Sequence, residues 1–506
     1  MQTIWPRVPP HFVKGQLLAH KLLGLTLAAV MYLVCLTGTI AVFYAEFERW
    51  EKPGVPEMNS ATPEAVGRAV AYARQHIAEI GAKPLDVYLT IPSAEMPRLV
   101  VGYDEEVLAF EANGAYAGSA AHDLTHFLIE MHYALNLPWQ IGFIIVGILG
   151  VLLIALIVGG ALALPRMFRD AFTLRLDGGR RLSRIDIHNR IAVWGLPFHF
   201  VVALTGAVMG VALIMFTLAG PVLFGGDGVK AMNAVYGDPA VIAEQARRAN
   251  APVSDAPEAR IVAALETLAR ERPDNPPLYM ALNQFGTPDE GVAIGAGHGA
   301  RLIYAETYRF DNSGGLMSSD GYADGEIGRQ FYASMFRAHA GAFGGLPAKL
   351  LYVLLGLGLT FICTTGVDIW LAKSAARGRA YPRLQSAWTI FVWATPALIA
   401  LACTLSLIAN VPPVPFFWIG LVLVSLAGVW IPQRVAHWAA PLAAAVATLS
   451  LPLAHATQFG LPELGSIAFA VNVGLVTVAI ILLALALRNR RRSEQMEVAT
   501  VSTATA

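Results

Sequence analysis

Long apolar runs, separated by short basic stretches or long mixed ones, dominate the hydrophobic pattern. A helix needs about 20 apolar residues to cross a bilayer. Runs near that length lie at about 17–45, 138–165, 190–218, 347–372, 386–409, 414–432, 436–456 and 465–487, which predicts a polytopic α-helical membrane protein with about eight transmembrane helices. Pro or polar residues interrupt the third, fifth and seventh runs. The first run is too long for a signal peptide and lacks a small-residue cleavage site, so it reads as an anchor.

Two long segments, about 46–131 and 219–338, have a different period. In the first, Thr62-Pro63-Glu64 opens a helix running to about Gly81, with Pro at its first helical position. Strand-like alternation follows at 85–91, 97–103 and 106–112, with turns at Pro92–Pro97 and Asn113-Gly114. In the second, a helix near 257–272 precedes strands at 277–283, 291–297 and 301–310, closing at Asn312–Gly315. One helix against a small antiparallel sheet is an α+β module.

The chain repeats itself. His20 stands 16 residues before Leu36-Thr37-Gly38, and His188 stands 16 before Leu204-Thr205-Gly206. Phe110-Glu-Ala-Asn-Gly resembles Phe310-Asp-Asn-Ser-Gly, and His132 precedes Gly159 by 27 residues as His339 precedes Gly366. The unit is a helix with His, an outside module, and a second helix with His, occurring twice by internal duplication. The last four helices have no counterpart.

Charge sets the orientation. The loop 166–190 carries Arg166, Arg169, Arg175, Arg180, Arg181, Arg184 and Arg190 against three acids, and 373–383 carries Lys373, Arg377, Arg379 and Arg383 against none. Arg488, Arg490, Arg491 and Arg492 open the tail. By the positive-inside rule these lie in the cytoplasm, and 46–131, with 14 acidic and 6 basic residues, lies outside. Both termini are then cytoplasmic, and the modules are periplasmic in a Gram-negative inner membrane. The expected division is 1–45 (N-terminus and first span), 46–131 (module 1), 132–218 (spans two and three), 219–338 (module 2), 339–373 (span four), 374–487 (a C-terminal four-helix membrane region) and 488–506 (tail).

Composition agrees: 56% of residues are hydrophobic and 14% charged, with mean hydropathy +0.54, against about 25% charged in soluble domains. Net charge is zero, so no bulk field favours nucleic acid as a partner, whereas membrane lipid is one. Cys35, Cys363 and Cys403 all sit in apolar runs and read as small buried hydrophobes.

Four helix-end histidines carry the candidate chemistry. His20 and His188 begin outward-running spans near the cytoplasmic face, and His132 and His339 precede inward-running spans near the outer face. Ionisable groups in a membrane are functional candidates, and neutral imidazole is a good axial ligand for haem iron. Each leaflet offers the two opposed nitrogens that a six-coordinate haem needs. Lys21, Arg190 and Arg337 are candidate propionate partners. His199 lies 11 residues beyond His188, which at about 100° per residue returns it to nearly the same helix face, so it is an alternative outer ligand or a buried hydrogen-bonding group. His122, His126 and Glu130 have i, i+4, i+8 spacing, which suits an exposed polar face better than a metal site. His437 and His455 stand at opposite ends of one span. Gly295-Ala-Gly297-His298-Gly299 lies between strands in an outside module, the wrong context for a dinucleotide loop.

The pattern resembles the PepSY-associated transmembrane family, which includes ferric-siderophore reductases of bacterial inner membranes. The resemblance rests on His20 through Leu-Thr-Gly38, on Asp186-Ile-His188-Asn-Arg190 with Trp194-Gly195, on Ala338-His339-Ala-Gly341 with Phe343-Gly344 through Thr365-Gly366, and on the strand-end phrases near 110–119 and 310–319. It covers about residues 10–373. It implies PepSY-like modules and two non-covalent, bis-histidine haem b groups, one near each face. It also implies an oxidoreductase that moves electrons from a cytoplasmic or quinol donor to a periplasmic ferric siderophore or other ferric chelate, releasing Fe(II). Consistently, no CxxCH haem-attachment motif occurs. Two other classes compete: a non-redox scaffold whose modules bind a periplasmic protein or peptide, and a transporter using the C-terminal helices. A reduced-minus-oxidised spectrum separates the scaffold from the reductase. A transporter calls for broken or polar helices at mid-membrane, where Pro396 and Asn472 are the few candidates.

Overall fold

Apolar runs become helices wherever backbone polar groups must be satisfied without water. The computed structural model describes residues 9–164, 172, 179–223, 225–226, 257–288, 290–299 and 301–504. Arg166, Arg169 and Arg175, and residues 227–256 of the second long segment, lie outside the described residues. The helices are α1 (Pro10–Ala41), α2 (Tyr44–Glu51), α3 (Pro63–Ile80), α4 (Asp123–Tyr133), α5 (Trp139–Leu162), α6 (Gly179–Trp194), α7 (Leu196–Leu223), α8 (Pro257–Glu271), α9 (Ile327–Ala340), α10 (Gly345–Ala375), α11 (Pro382–Ala409), α12 (Pro413–Ala427), α13 (Gln433–Phe459) and α14 (Ile467–Ala504). The strands are β1 (Asp86–Thr90), β2 (Leu99–Tyr103), β3 (Glu106–Phe110), β4 (Tyr116–Ser119), β5 (Pro277–Asn283), β6 (Gly291–Ala296), β7 (Glu306–Phe310) and β8 (Leu316–Ser319). Two units result. One is built from the chain up to Glu51, Asp123–Gly210 and Lys349 onward, the other from Lys52–His122 and Val211–Ala348.

The first unit is a multi-pass membrane bundle. Among the described residues six helices are long and apolar enough to span a bilayer: α1, α5, α10, α11, α13 and α14. This differs from the eight spans expected. The run at 190–218 is not one straight helix: α6 and α7 meet at a 66° bend, and together they make at most a seventh span. Pro197 has no N–H for the carbonyl of Val193 and its ring crowds that turn. The run at 414–432 yields only the 15-residue α12, about 22 Å long. Glycines let α5 and α7 touch: a Cβ on Gly150 would lie 2.9 Å from Ala207 N, and one on Gly210 would lie 2.5 Å from Gly147 Cα. The helices α2 and α4, expected within the outside module 46–131, belong to this bundle.

The second unit holds both helix-and-strand modules. The expected helices appear as α3 and α8, and Thr62 caps α3 by accepting Ala65 N at 3.3 Å. Each module gains a fourth strand that the alternation did not reveal, and the strand expected at 301–310 begins only at Glu306. The modules are also not separate sheets. They join as one eight-stranded antiparallel sheet, ordered β4-β3-β2-β1-β5-β6-β7-β8, through β1 and β5 with Leu89 opposite Met280. The duplication persists in detail. The ladder slips at Ala109/Phe110 in one half and at Arg309/Phe310 in the other. Gly114 (φ 81°) and Gly314 (φ 80°) turn directly onto Ala65 and Ala263, where no Cβ fits. Both helices cover one sheet face, where Val66, Val70, Ile77, Ile261 and Leu268 pack on Val87, Leu89, Leu99, Phe110, Met280, Leu282 and Ile294. Each such side chain contributes about 1.5–3 kcal/mol on burial.

Candidate functional site

The bundle brings the expected first pair together. His20 on α1 lies within electrostatic reach of His188 on α6. Nδ1 of His20 is 2.9 Å from the carbonyl of Leu156 on α5. A carbonyl only accepts, so Nδ1 carries the proton. Nδ1 of His188 is 2.9 Å from Thr365 Oγ1 on α10, and that hydroxyl donates its own proton to Phe361 O at 2.9 Å. The Thr365 oxygen therefore accepts from His188 Nδ1. Both imidazoles thus keep their lone pair on Nε2, the arrangement of a metal-ligating histidine with a fixed partner behind it.

Glycines seat these rings. A Cβ on Gly160 would stand 3.0 Å from His20 Cε1, and one on Gly366 would be 3.8 Å from His188 Cε1. Arg190, two residues beyond His188, has a buried Nε with no hydrogen-bond partner among the described residues. Lys21 is exposed.

The other histidines are placed as follows. His132, in the last turn of α4, has Nδ1 3.0 Å from Val34 O on α1, and its ring fills the space that a Cβ on Gly38 would need, 2.5 Å from Cε1. His20 and Gly38 are 18 residues apart on α1, about 27 Å of helix, so these sites lie toward opposite ends of the bundle. His339 sits near the C-terminus of α9 in the second unit, where Gly341 (φ 70°) ends the helix. Arg337 is engaged by the backbone: it donates to Ala342 O and, at 2.9 Å, to Ile303 O.

The 66° bend takes His199 off the helix face of His188 on which it was expected. His199 is 2% exposed, its Nε2 is 3.4 Å from Leu355 O, and it packs over Gly195 where no Cβ could stand. Leu355 lies 11 residues from Gly366 along α10, about 16 Å. At that level a Cβ on Gly356 would meet Thr39 Oγ1 at 2.6 Å, next to the Gly38 that seats His132. His199 and His132 are therefore at similar depth. His126 Nε2 is 3.4 Å from Glu130 Oε1 and mostly exposed, while His122 Nδ1 is 3.1 Å from Ala120 O.

A family description, the PepSY-associated TM region, matches residues 17–373. The chain belongs to the PepSY-associated transmembrane family. It is also 28% identical over 363 residues to an uncharacterized protein of Pseudomonas aeruginosa, covering 67% of this chain and 89% of that relative. The family span takes in most of α1 through most of α10, with His20, His132, His188, His199 and His339, and leaves α11–α14 outside it.

A further repeat lies within that span. The pattern Cys-x-Thr-Gly occurs as Cys35-Leu-Thr-Gly38 on α1 and Cys363-Thr-Thr-Gly366 on α10. Each Gly receives a histidine ring. Thr37 and Thr365 bond back to Leu33 O at 2.7 Å and Phe361 O at 2.9 Å. Another residue that the sequence did not single out, Glu51, accepts Leu124 N at 2.9 Å and Thr125 N at 2.8 Å, which caps the helix bearing His132.

Proposed function

We propose that the protein is a di-haem b reductase of the bacterial inner membrane. In this reading it passes electrons outward to a ferric siderophore or related Fe(III) chelate and releases Fe(II). The observation that carries it is the pair His20 and His188: two imidazoles from repeat-related helices, each with Nδ1 tied back and within electrostatic reach of the other. The residues fit the group, because both imidazoles keep their lone pair on Nε2 and the buried Nε of Arg190 has no hydrogen-bond partner among the described residues. Haem iron supplies a reversible one-electron couple when held by two imidazoles.

The chain's own part is to bind and orient. His20 and His188 present Nε2, and Leu156 O and Thr365 Oγ1 fix their tautomer and strengthen them as ligands. Arg190 Nε offers a hydrogen bond to a propionate, with Lys21 at the rim. His132, whose Nδ1 is tied to Val34 O, presents Nε2 to the second haem. The depth of His199 makes it the competing ligand. The arginine-rich loops and both termini face the cytoplasm, where a soluble donor or a membrane quinol supplies electrons. One electron converts chelated Fe(III) to Fe(II), which hard oxygen ligands hold less tightly.

The test is a reduced-minus-oxidised spectrum with haem quantitation on the purified full chain. Two haem b per chain are expected. His20→Ala or His188→Ala removes one and spares the other. His132→Ala removes the second and stops Fe(III)-chelate reduction, while His199→Ala keeps both. Loss of a haem in His199→Ala with both retained in His132→Ala reassigns the outer ligand. Absence of any Soret band overturns the reading.

A further inference from the structure

The four helices α11–α14 lie beyond the family-matched residues, yet they make the bed on which α4 rests. An 11-residue helix such as α4 is too short to hold its own geometry. Its buried side, Leu124, Phe127, Leu128 and Met131, packs into the same core as Ile390, Leu398, Phe417 and Leu421. The rings of Phe127 and Phe417 meet edge-on, 6.0 Å apart at 64°.

A polar junction fixes the other end of α4. Both carboxylate oxygens of Glu51, which is 5% exposed, take donors from the first turn: Leu124 N at 2.9 Å, Thr125 N at 2.8 Å and Thr125 Oγ1 at 2.9 Å. A negative group suits a helix N-terminus. The preceding residue is gripped by the C-terminal helices. Trp50 Nε1 donates to Asn472 Oδ1 on α14 at 2.8 Å, and His455 Nε2 on α13 donates to Trp50 O at 2.8 Å. The His455 ring also stacks on the Trp50 indole with centroids 4.5 Å apart. With Nε2 donating, Nδ1 of His455 is left as a buried acceptor with no hydrogen-bond partner among the described residues. Such an orphan is costly, so the ring is held there by its grip on Trp50.

At the far end of α4, His132 lies against Gly38 with no slack. A small rotation of α4 must therefore move that imidazole. We propose that the C-terminal bundle, acting through Trp50 and Glu51, is the positioning element for His132 and that Glu51 also biases the potential at that site. The inference rests on His132 being a haem ligand. It gives the C-terminal helices a role in setting the electron exit. The sign follows from charge. A buried carboxylate at the first turn of α4, eight residues or about 12 Å of helix from His132, would favour the oxidised, more positive state of a haem held there, so its removal would raise the potential of that haem alone.

The experiment compares the full chain with Glu51→Gln and Trp50→Phe. Redox titration and the low-temperature EPR signals of the two low-spin ferric haems are recorded. The haem lost in His132→Ala marks the outer signal. In Glu51→Gln that signal shifts and its potential moves positive, while the inner haem keeps both. In Trp50→Phe, which keeps a stacking ring but loses the bond to Asn472, the outer EPR signal shifts with a smaller change of potential. A Glu51→Gln protein with an intact inner haem and an unchanged outer one overturns the inference. Should Glu51→Gln fail to fold, Trp50→Phe decides by the same signals. Carbethoxylation of His132 in haem-depleted protein, read by peptide mass, is independent of the cofactor. It should run about fivefold faster in Glu51→Gln, the change in opening that loss of one cap brings, and faster than the parent in Trp50→Phe too; rates equal to the parent's in both also overturn the inference. If the unaltered chain holds no haem, the reductase reading falls, and the carbethoxylation rates alone judge whether the junction positions His132.

Discussion

Single glycines set how closely each histidine ring approaches its neighbouring helix, and the spacing is graded. A Cβ would stand 2.5 Å from the ring at Gly38, 3.0 Å at Gly160 and 3.8 Å at Gly366. The first distance is impossible without moving His132, the second needs a shift of a few tenths of an ångström, and the third is ordinary contact. Substituting each with Ala should therefore give a graded loss. Gly38→Ala loses the haem assigned to His132, Gly160→Ala weakens retention of the one at His20, and Gly366→Ala keeps both. Haem-to-protein ratios of the purified variants check the order. An equal effect at all three positions shows that helix packing in general, and not ring seating, is what these glycines serve.

At the scale of elements, α3 and α8 of the second unit share one buried anion. Glu290 receives Arg74 Nη2 at 2.8 Å and Nη1 at 3.1 Å, the Arg260 guanidinium, and Gly286 N at 2.6 Å. Burial opposes its charge, but the hydrogen bonds from Arg74 and Gly286 and the charges of Arg260 and Arg74 outweigh that, so its carboxyl is held below the ordinary value. Glu306 goes the other way: burial pushes its carboxyl up despite hydrogen bonds from the N–H groups of Ala323 and Gly321. A depressed acid contributes stability that is full above its unfolded pKa of about 4.3 and is lost as pH falls through the lower folded value. A raised acid costs stability as pH rises through its folded value. Glu290→Gln should thus destabilise α3 and α8 by about 3 kcal/mol at neutral pH, since two arginines lose their partner. The gap from the parent should close as pH falls below 4.3, roughly. Amide hydrogen exchange of the two helices in the full chain measures both; a gap unchanged with pH shows that Glu290 is not the titrating group.

At the scale of the molecule, the joined sheet makes segments far apart in sequence into one body. Tyr88 lies opposite Ala281, three positions from the bond between Ile91 N and Leu278 O, which makes it a non-hydrogen-bonded pair with close Cβ atoms. The double variant Tyr88→Cys with Ala281→Cys should form an intramolecular disulfide on mild oxidation. A cut between the segments then leaves them linked on a non-reducing gel. The mismatched pair Tyr88→Cys with Ala293→Cys, one strand further away, should not link. Crosslinking of both pairs alike contradicts the register.

Much of this was legible in the sequence because local physics dictates it. An apolar run in lipid must be helical, so α1, α5, α10, α11, α13 and α14 could be read from length alone. The capped start of α3 at Thr62-Pro63 and the repeated Phe-turn-Gly phrases at 110 and 310 likewise report short-range geometry. The histidines stood out because an ionisable group next to lipid is expensive. What depends on long-range contact was not legible. Period-2 alternation says which face of β1 is buried but not which edge it pairs with, so the junction of β1 with β5 was decided only by tertiary folding. The bend at Gly195-Leu196-Pro197 depends on how α7 can pack, and it separated His188 from His199 where a straight helix would have aligned them. Glu51 is an ordinary acid in the sequence. It becomes the cap of α4 because a distant bundle holds Trp50 in place, and a hydrogen bond across 73 residues leaves no periodic trace.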